Sequence, residues 1–307
     1  MNALRARLPD GRWHFQHGPI DIVIGADGDA RAVDAAHEAA WRRFETILAE
    51  LVAELPVLRR PVREGDCPLR GEVARRMWSA CYPYRGRYVT PMAAVAGSVA
   101  QELVAAYARD GVTRAWINNG GDIALHLSPG ASVRVGLCAD LARHVTRDGY
   151  AGLPPDADFE VRDDMPVRGI ATSGWRGRSL SLGIADSVTV LAATAAAADA
   201  AATMVANAVD VADPRIVRRP AREVRDDSDL GELPVTVDVP PLEDALVQRA
   251  IASGLARARE LRREGLLSAA LVVCQRRSAG LAGDAAPGAR ASTNPAATPA
   301  AISCRAA

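Results

Sequence analysis

Asp199 is the residue whose setting least explains it. In AAAADAAATM (195–204) a carboxylate stands among alanines that would form a helix without it, and aspartate is a poor helix-interior residue. Thr203 lies four positions on, so both side chains share one helical face about a turn apart. A carboxylate and a hydroxyl so placed are two hard oxygen ligands, suited to magnesium. The same pattern also describes a solvated aspartate on an alanine helix. A second group, Asn118-Asn119-Gly120-Gly121-Asp122, lies between the apolar runs of AWINNGGDIALHL. Asn-Gly between strand-like runs signals a hairpin, because both residues accept positive φ. On this reading Asn119-Gly120 makes the turn and Gly121-Asp122 faces a ligand. Third, ATSGWRGRS (171–179) sets Thr172, Ser173 and Gly174 after a β-rich run, with Arg176 and Arg178 beyond. That is either an anion-binding turn or an ordinary Ser/Gly turn. Fourth, TPMAAVAGSVA (90–100) opens a helix with small residues, against which a helix or a ligand packs closely.

These groups need positioning elements. Two strands around Trp13–Ile24 lead to a helix over about 31–55, with Val33, Ala36, Ala40, Trp41, Phe44, Ile47, Leu48 and Leu51 at helical spacing. A proline-rich loop (56–71) and a short helix (72–81) follow. Thr90 caps the next helix, with Pro91 at its first position and Gly111 as a stop. A hairpin over 114–127 and a strand over 132–137 come next. An irregular segment (140–165) precedes the β-rich runs VRGIATSG, RSLSLGI and SVTVLAA. A helix over 195–208, a charged loop (210–232), the strand LPVTVDV, a helix over 242–264 and the strand SAALVVC complete the order. Strands, helices, strands, and then the same again, predict an α+β fold of two similar halves within 1–274, with mostly antiparallel sheet. From Gln275 to Ala307 the composition predicts a disordered tail.

The whole chain narrows the partners. With 37 basic and 37 acidic side chains and 4% aromatics, local arginine clusters aside, the balance makes no general case for the basic face that nucleic acid requires and favours a small ligand or a protein partner. Five scattered cysteines form no C-x-x-C pair, which fits a reducing compartment. No apolar segment follows the charged N-terminus and none reaches a membrane-spanning length. The expectation is a cytoplasmic protein with neither membrane nor nucleic acid as partner. Among the histidines, His126 shares a strand face with Asp122 but about 13 Å of extended chain separates them. His37 sits beside Trp41 on the core side of its helix, while His14, His17 and His144 have no assigned place.

In their order, the small-residue helix, N-x-GGD hairpin, T-S-G turn, SVTV strand and D-x-x-x-T helix resemble the ApbE-like flavin transferase superfamily. The resemblance covers roughly residues 88–210. It implies a duplicated T-fold-like α+β unit that binds the dinucleotide FAD and Mg2+. The implied activity attaches the FMN part to a threonine or serine of a target flavoprotein. Carried over, Asp199, Thr203 and a backbone carbonyl near Ala96 would hold the metal. Asn118, Gly120, Gly121 and Asp122 would border the dinucleotide, with Thr172, Ser173 and Gly174 near its phosphates. The chain departs from the pattern where the family has a histidine-bearing H-I-x-D-P-x-T-G segment, because SLSLGIAD stands there. Gly97 replaces the family's lysine, and no export signal or lipoprotein cysteine is present. These departures place it in a shorter branch, with Asp186 the nearest candidate base. Hydrolysis of FAD to FMN and AMP, or flavin binding without catalysis, are the alternatives the same motifs allow.

Overall fold

The computed structural model describes residues 2–137, 145–146, 149–150, 157–177, 179–281 and 301–303. Arg178, His144, Cys138 and Cys304 lie outside them. The chain opens with three antiparallel strands, β1 (Leu4–Arg7), β2 (Trp13–His17) and β3 (Ile20–Gly28). Helix α1 (Ala30–Leu58) starts where the Asp29 carboxylate accepts the Ala32 N–H at 3.0 Å. Its buried stripe of Ala36, Ala40, Phe44, Ile47, Leu51 and Leu58 follows the helical period. The helix runs on through Pro56, into residues expected to be loop. Helices α2 (Glu72–Cys81) and α3 (Val95–Val104) follow, the latter entered through a 3₁₀ turn at Pro91–Ala94. Thr90 Oγ1 accepts the Met92 N–H there.

The hairpin β4 (Val112–Asn119) and β5 (Asp122–Leu127) closes the first half. Next come β6 (Ser132–Leu137), the two-residue strands β7 (Val145–Thr146) and β8 (Gly149–Tyr150), and β9 (Ala157–Arg162). The second half has β10 (Gly169–Ser173), β11 (Ser187–Ala192), α4 (Ala195–Ala208), β12 (Val217–Pro220), α5 (Ala221–Val224), β13 (Pro234–Asp238), α6 (Asp244–Arg263), β14 (Ala269–Cys274) and β15 (Arg277–Leu281). A last strand, β16 (Ala301–Ser303), pairs in parallel with β6.

Nine strands form one sheet in the order β1-β2-β3-β4-β5-β10-β11-β14-β15, every neighbouring pair antiparallel. The class is α+β with mostly antiparallel sheet. Alternation along each strand gives the sheet two apolar faces. Ile22, Ile24, Ala115, Ile117 and Ala124 face α1 and α3, while Val188, Val190 and Val272 face α4 and α6. Trp116, Ile123, Leu125 and Ile170 point the other way, onto Val133, Val135 and Val161 of the small sheet β16-β6-β9. The two halves meet where β5 pairs with β10 through Ile123↔Ile170 and Ala124↔Gly169.

Further expectations change, for the irregular segment 140–165 contains β9 and the charged loop 210–232 contains β12 and α5. RSLSLGI forms no strand among its described residues, since its backbone bonds to the end of α4 and, at the Ser181 carbonyl, to the Thr236 N–H of β13. Leu182 N–H donates to Asn207 Oδ1 at 2.9 Å and Ile184 N–H to the Val209 carbonyl at 2.8 Å. A Cβ on Gly183 would lie 2.1 Å from the Ala206 carbonyl oxygen, so the segment runs too close to the helix to be a strand. Two stretches expected to belong to a disordered tail are strands, since Arg277–Leu281 pairs with β14 and Ala301–Ser303 with β6. Among the described residues no helix is long and apolar enough to cross a membrane.

Candidate functional site

The Gly-Gly hairpin is tighter than the sequence suggests. Asn119 pairs with Asp122 across the ladder, so the two-residue turn is Gly120-Gly121, with φ +64° and +110°. Two successive positive φ values match the primed turns that follow the twist of a hairpin. This corrects the assignment of the turn to Asn119-Gly120. Asn119 is the last residue of β4 and carries a separate task. Its Nδ2 donates to the Ala96 carbonyl at 3.1 Å, tying the first turn of α3 to the hairpin. Asn118, on the opposite face by alternation, accepts the Gly121 N–H on Oδ1 at 2.8 Å and so braces the turn.

Helix α4 meets the same place from the other half. Its N-cap Thr194 accepts the Ala197 N–H, and Gln101 Oε1 of α3 accepts the Ala196 N–H at 3.2 Å. The helices touch through Gly97, where a Cβ would sit 2.3 Å from the Ala195 carbonyl oxygen and 2.9 Å from Asp199 Cβ. Only hydrogen fits at that spot, which explains glycine where the resembled family carries lysine. With the helices so close, Asp199 Oδ2 accepts the Gly97 N–H at 2.9 Å, with the Ala96 N–H alongside.

Asp122 comes to this carboxylate from the start of β5. One oxygen accepts the Thr172 N–H at 3.1 Å, and the carboxyl lies within hydrogen-bond reach of Asp199. Asp122 is 8% exposed and Asp199 half-buried. No lysine, arginine or histidine pairs with either among the described residues. Burial pushes both carboxyls up, Asp122 well above the ordinary range. The neighbouring acid raises Asp122 further, and the backbone N–H groups of Thr172 and Gly97 each offset part of the rise. Two buried carboxyls without a basic partner hold either a shared proton or a cation between them. The donor set of hard oxygens fits a divalent cation.

The other sequence candidates divide. Thr203 is half-buried one turn along α4 from Asp199. The Ala96 carbonyl is present at the site but already accepts from Asn119. Thr172 contributes its N–H here, whereas its hydroxyl bonds Thr189 Oγ1 at 3.0 Å on the sheet face away from α4. By alternation Ser173, half-buried, lies on the helix side. Gly174 is needed for contact, since a Cβ would meet the Asp186 carbonyl oxygen at 2.4 Å. Asp186 lies at the foot of β11, paired with Arg176 at 3.1 Å and accepting the Gln275 N–H at 2.5 Å. Arg176 in turn stacks over Trp175, 5.2 Å from the ring centroid. His37 bonds the Tyr107 hydroxyl at 2.7 Å in the core and takes no part in this site. Asn119, Gln101 and Gly97 were not singled out from sequence for these contacts. The one signal was a polar residue at the end of an apolar strand, facing a helix of small residues.

Fold and site together define an α+β protein with a carboxyl pair where β5 meets β10, beneath a glycine-mediated helix contact. The family model described as AbpE bacteria matches residues 5–286, and the chain belongs to that family. It is 34% identical over 204 residues to a UPF0280 protein of Methanosarcina acetivorans, covering 64% of this chain and 72% of the relative. A UPF0280 protein of Methanosphaerula palustris is 40% identical over 203 residues, covering 64% and 77%. Among solved structures, the ApbE protein of Thermotoga maritima aligns over 92% of this chain and 96% of its own, with 12% identity and a TM-score of 0.38. A variant of the flavin transferase ApbE from Vibrio cholerae aligns over 92% and 98%, with 13% identity and a TM-score of 0.34.

Proposed function

We propose that the chain is a flavin-transferase-like protein that binds FAD with a divalent cation, Mg2+, and moves its FMN part to a threonine or serine of a partner protein. The observation that carries this reading is the Asp199 carboxyl, held by the first turn of α3 and facing Asp122 without a basic partner. Asp199 and Thr203 would hold the cation, with the Ala96 carbonyl beside them. Bound there, the cation would neutralise the pyrophosphate and polarise the bond to be cut. The chain's own part is placement. Asn118 fixes the Gly120-Gly121 turn, whose small backbone lets a dinucleotide come close, and Ser173 with Gly174 would lie near its phosphates. Transfer breaks the bond from the FMN phosphorus to the bridging oxygen and releases AMP. It forms a bond from that phosphorus to the acceptor oxygen, whose proton goes to a base. Asp186 is the candidate base, its carboxylate oriented by Arg176 and the Gln275 N–H.

That same ion pair favours a second reading, flavin binding without transfer, because a carboxylate engaged on both oxygens is a weaker base. The test is incubation of the purified protein with FAD and Mg2+, with products resolved by chromatography and mass spectrometry. AMP with FMN on protein supports transfer. AMP with free FMN means hydrolysis, and bound but intact FAD means binding alone. Absence of both binding and turnover removes the flavin reading.

A further inference from the structure

The β14–β15 hairpin turns on two residues where asparagine and glycine would be less strained. Cys274 pairs with Arg277 across the ladder, so Gln275 and Arg276 make the turn, with φ +45° and +67°. They are the two non-glycine residues with positive φ among the described residues. A two-residue turn of this hand favours Asn-Gly, and other side chains strain it. Gln275 makes contacts that offset the strain. Its N–H donates to Asp186 Oδ2 at 2.5 Å and its Nε2 to the Pro240 carbonyl at 2.6 Å. Its Oε1 accepts the Leu242 N–H at 2.9 Å. Arg276 has no such contact, for among the described residues its exposed side chain makes no hydrogen bond, ion pair or ring contact. An unpartnered side chain held on strained backbone points to a function beyond the packing of the chain itself.

That side chain lines a cavity of about 400 Å³, together with Leu242, Asp244 and Val247 at the start of α6 and Gln275 and Arg277 of the hairpin. The volume suits a small molecule. Arg277 Nε donates to Asp244 Oδ1 at 2.7 Å, and Gln248 Nε2 donates to Asp244 Oδ2 at 2.7 Å. Those two charges balance each other, which leaves the Arg276 guanidinium as the net positive charge of the lining. Its planar fork of N–H donors matches the oxygens of a phosphate. A carboxylate has about four lone-pair sites, so Asp244 keeps acceptor capacity for the hydroxyl of a ligand. We infer that this cavity binds a phosphorylated polyol, a sugar phosphate, with the phosphate on Arg276 and a hydroxyl on Asp244. The turn keeps its strain because it holds Arg276 at the cavity wall. The inference stands apart from the flavin reading, which none of the lining residues enters except Gln275, through its N–H to Asp186.

The test titrates the full chain, without flavin or metal, with ribose 5-phosphate as probe in an isothermal calorimeter. The expected result is one saturable site in the wild type, with inorganic phosphate binding more weakly. Arg276→Gly should weaken ribose 5-phosphate roughly tenfold or more, since a charge-assisted contact is lost. The same variant should melt roughly 2 °C higher, because glycine takes a positive φ without strain. Tighter folding with weaker binding is a combination that a merely structural arginine would not produce. Asp244→Asn should narrow the preference for ribose 5-phosphate over inorganic phosphate. Circular dichroism checks each fold, and should Arg276→Gly not fold, Arg276→Asn carries the same measurement, since asparagine also accepts left-handed backbone. A wild type with no saturable site, or a folded Arg276 variant that binds as the wild type does, overturns the inference. Inorganic phosphate binding as tightly as ribose 5-phosphate overturns it too, because the polyol would then have no part in recognition.

Discussion

Burial acts in opposite senses on one imidazole and on the facing carboxyls of this chain. His37 lies in the first core against Tyr107, and burial pushes its imidazole down to about 4. A base depressed on folding stabilises the native state above its unfolded value near 6.5, and that contribution is lost as pH falls toward 4. The full effect is roughly 3 kcal/mol at most. The expected outcome is an NMR titration of His37 with a midpoint near 4, and a midpoint near 6.5 would show that the ring is not held neutral. The acids run the other way. Asp122 and Asp199 are raised by burial, so without metal they cost stability as pH rises from the unfolded carboxylate value through the raised one. Asp199→Ala should therefore abolish Mg2+-dependent ligand binding while the protein stays folded, or even gains stability at neutral pH. Calorimetry with Mg2+ and FAD checks it, and retained binding sinks the metal assignment.

At the scale of elements, the decisive contact is Gly97 against Ala195. On helix propensity alone, Gly97→Ala would stabilise an interior helical position by about 1 kcal/mol. The added Cβ, however, would lie 2.3 Å from a carbonyl oxygen of α4, and overpacking of that kind costs about 1–3 kcal/mol. The two effects have opposite signs, so denaturant unfolding of Gly97→Ala decides between them. Destabilisation together with weaker Mg2+ binding is expected, because α3 must leave α4 and the Gly97 N–H must leave Asp199. A stabilised variant would mean that the helices separate at no cost. Helix α2 at 72–81, strand β6 at 132–137 and helix α4 at 195–208 could be read from spacing alone, since local period and caps determine them. The Gly120-Gly121 turn could not, because Asn-Gly and Gly-Gly both suit a primed turn and only strand register chooses. RSLSLGI misled for a related reason, as only Ile184 of its alternating apolar residues enters the core and its described residues join no ladder. Asp199 was readable as an anomaly among alanines and Asp122 as a residue facing a ligand, but their proximity was not. Their meeting depends on β5, α3 and α4 converging, which no local pattern encodes.

Across the whole molecule the site lies on a seam. Asn119, Ala96, Gly97 and Asp122 belong to the first half, and Thr172 and Asp199 to the second. The direct strand pairing between halves is short, Ile123↔Ile170 and Ala124↔Gly169, extended by the Leu125 N–H to the Arg168 carbonyl at 2.9 Å. Around it the apolar packing is continuous, since Ala195 of α4 joins the first-half core and Trp78 of α2 packs against both cores. A cation held by Asp199 of α4 beside the Ala96 carbonyl of α3 would therefore cross-link the two parts at the point where the ladder is thinnest. Binding to the folded state alone stabilises by about 2.7 kcal/mol at a hundredfold excess over Kd. Because both halves contribute ligands, that energy is lost if either half unfolds, and the two should melt together. The expected result is a single calorimetric transition whose midpoint rises with Mg2+, accompanied by slower hydrogen exchange in β5 and β10. Asp199→Ala should show a midpoint that does not respond to Mg2+. Two resolved transitions, with Mg2+ moving only one of them, would show that the cation sits within one half and that the seam is not where the ligand acts.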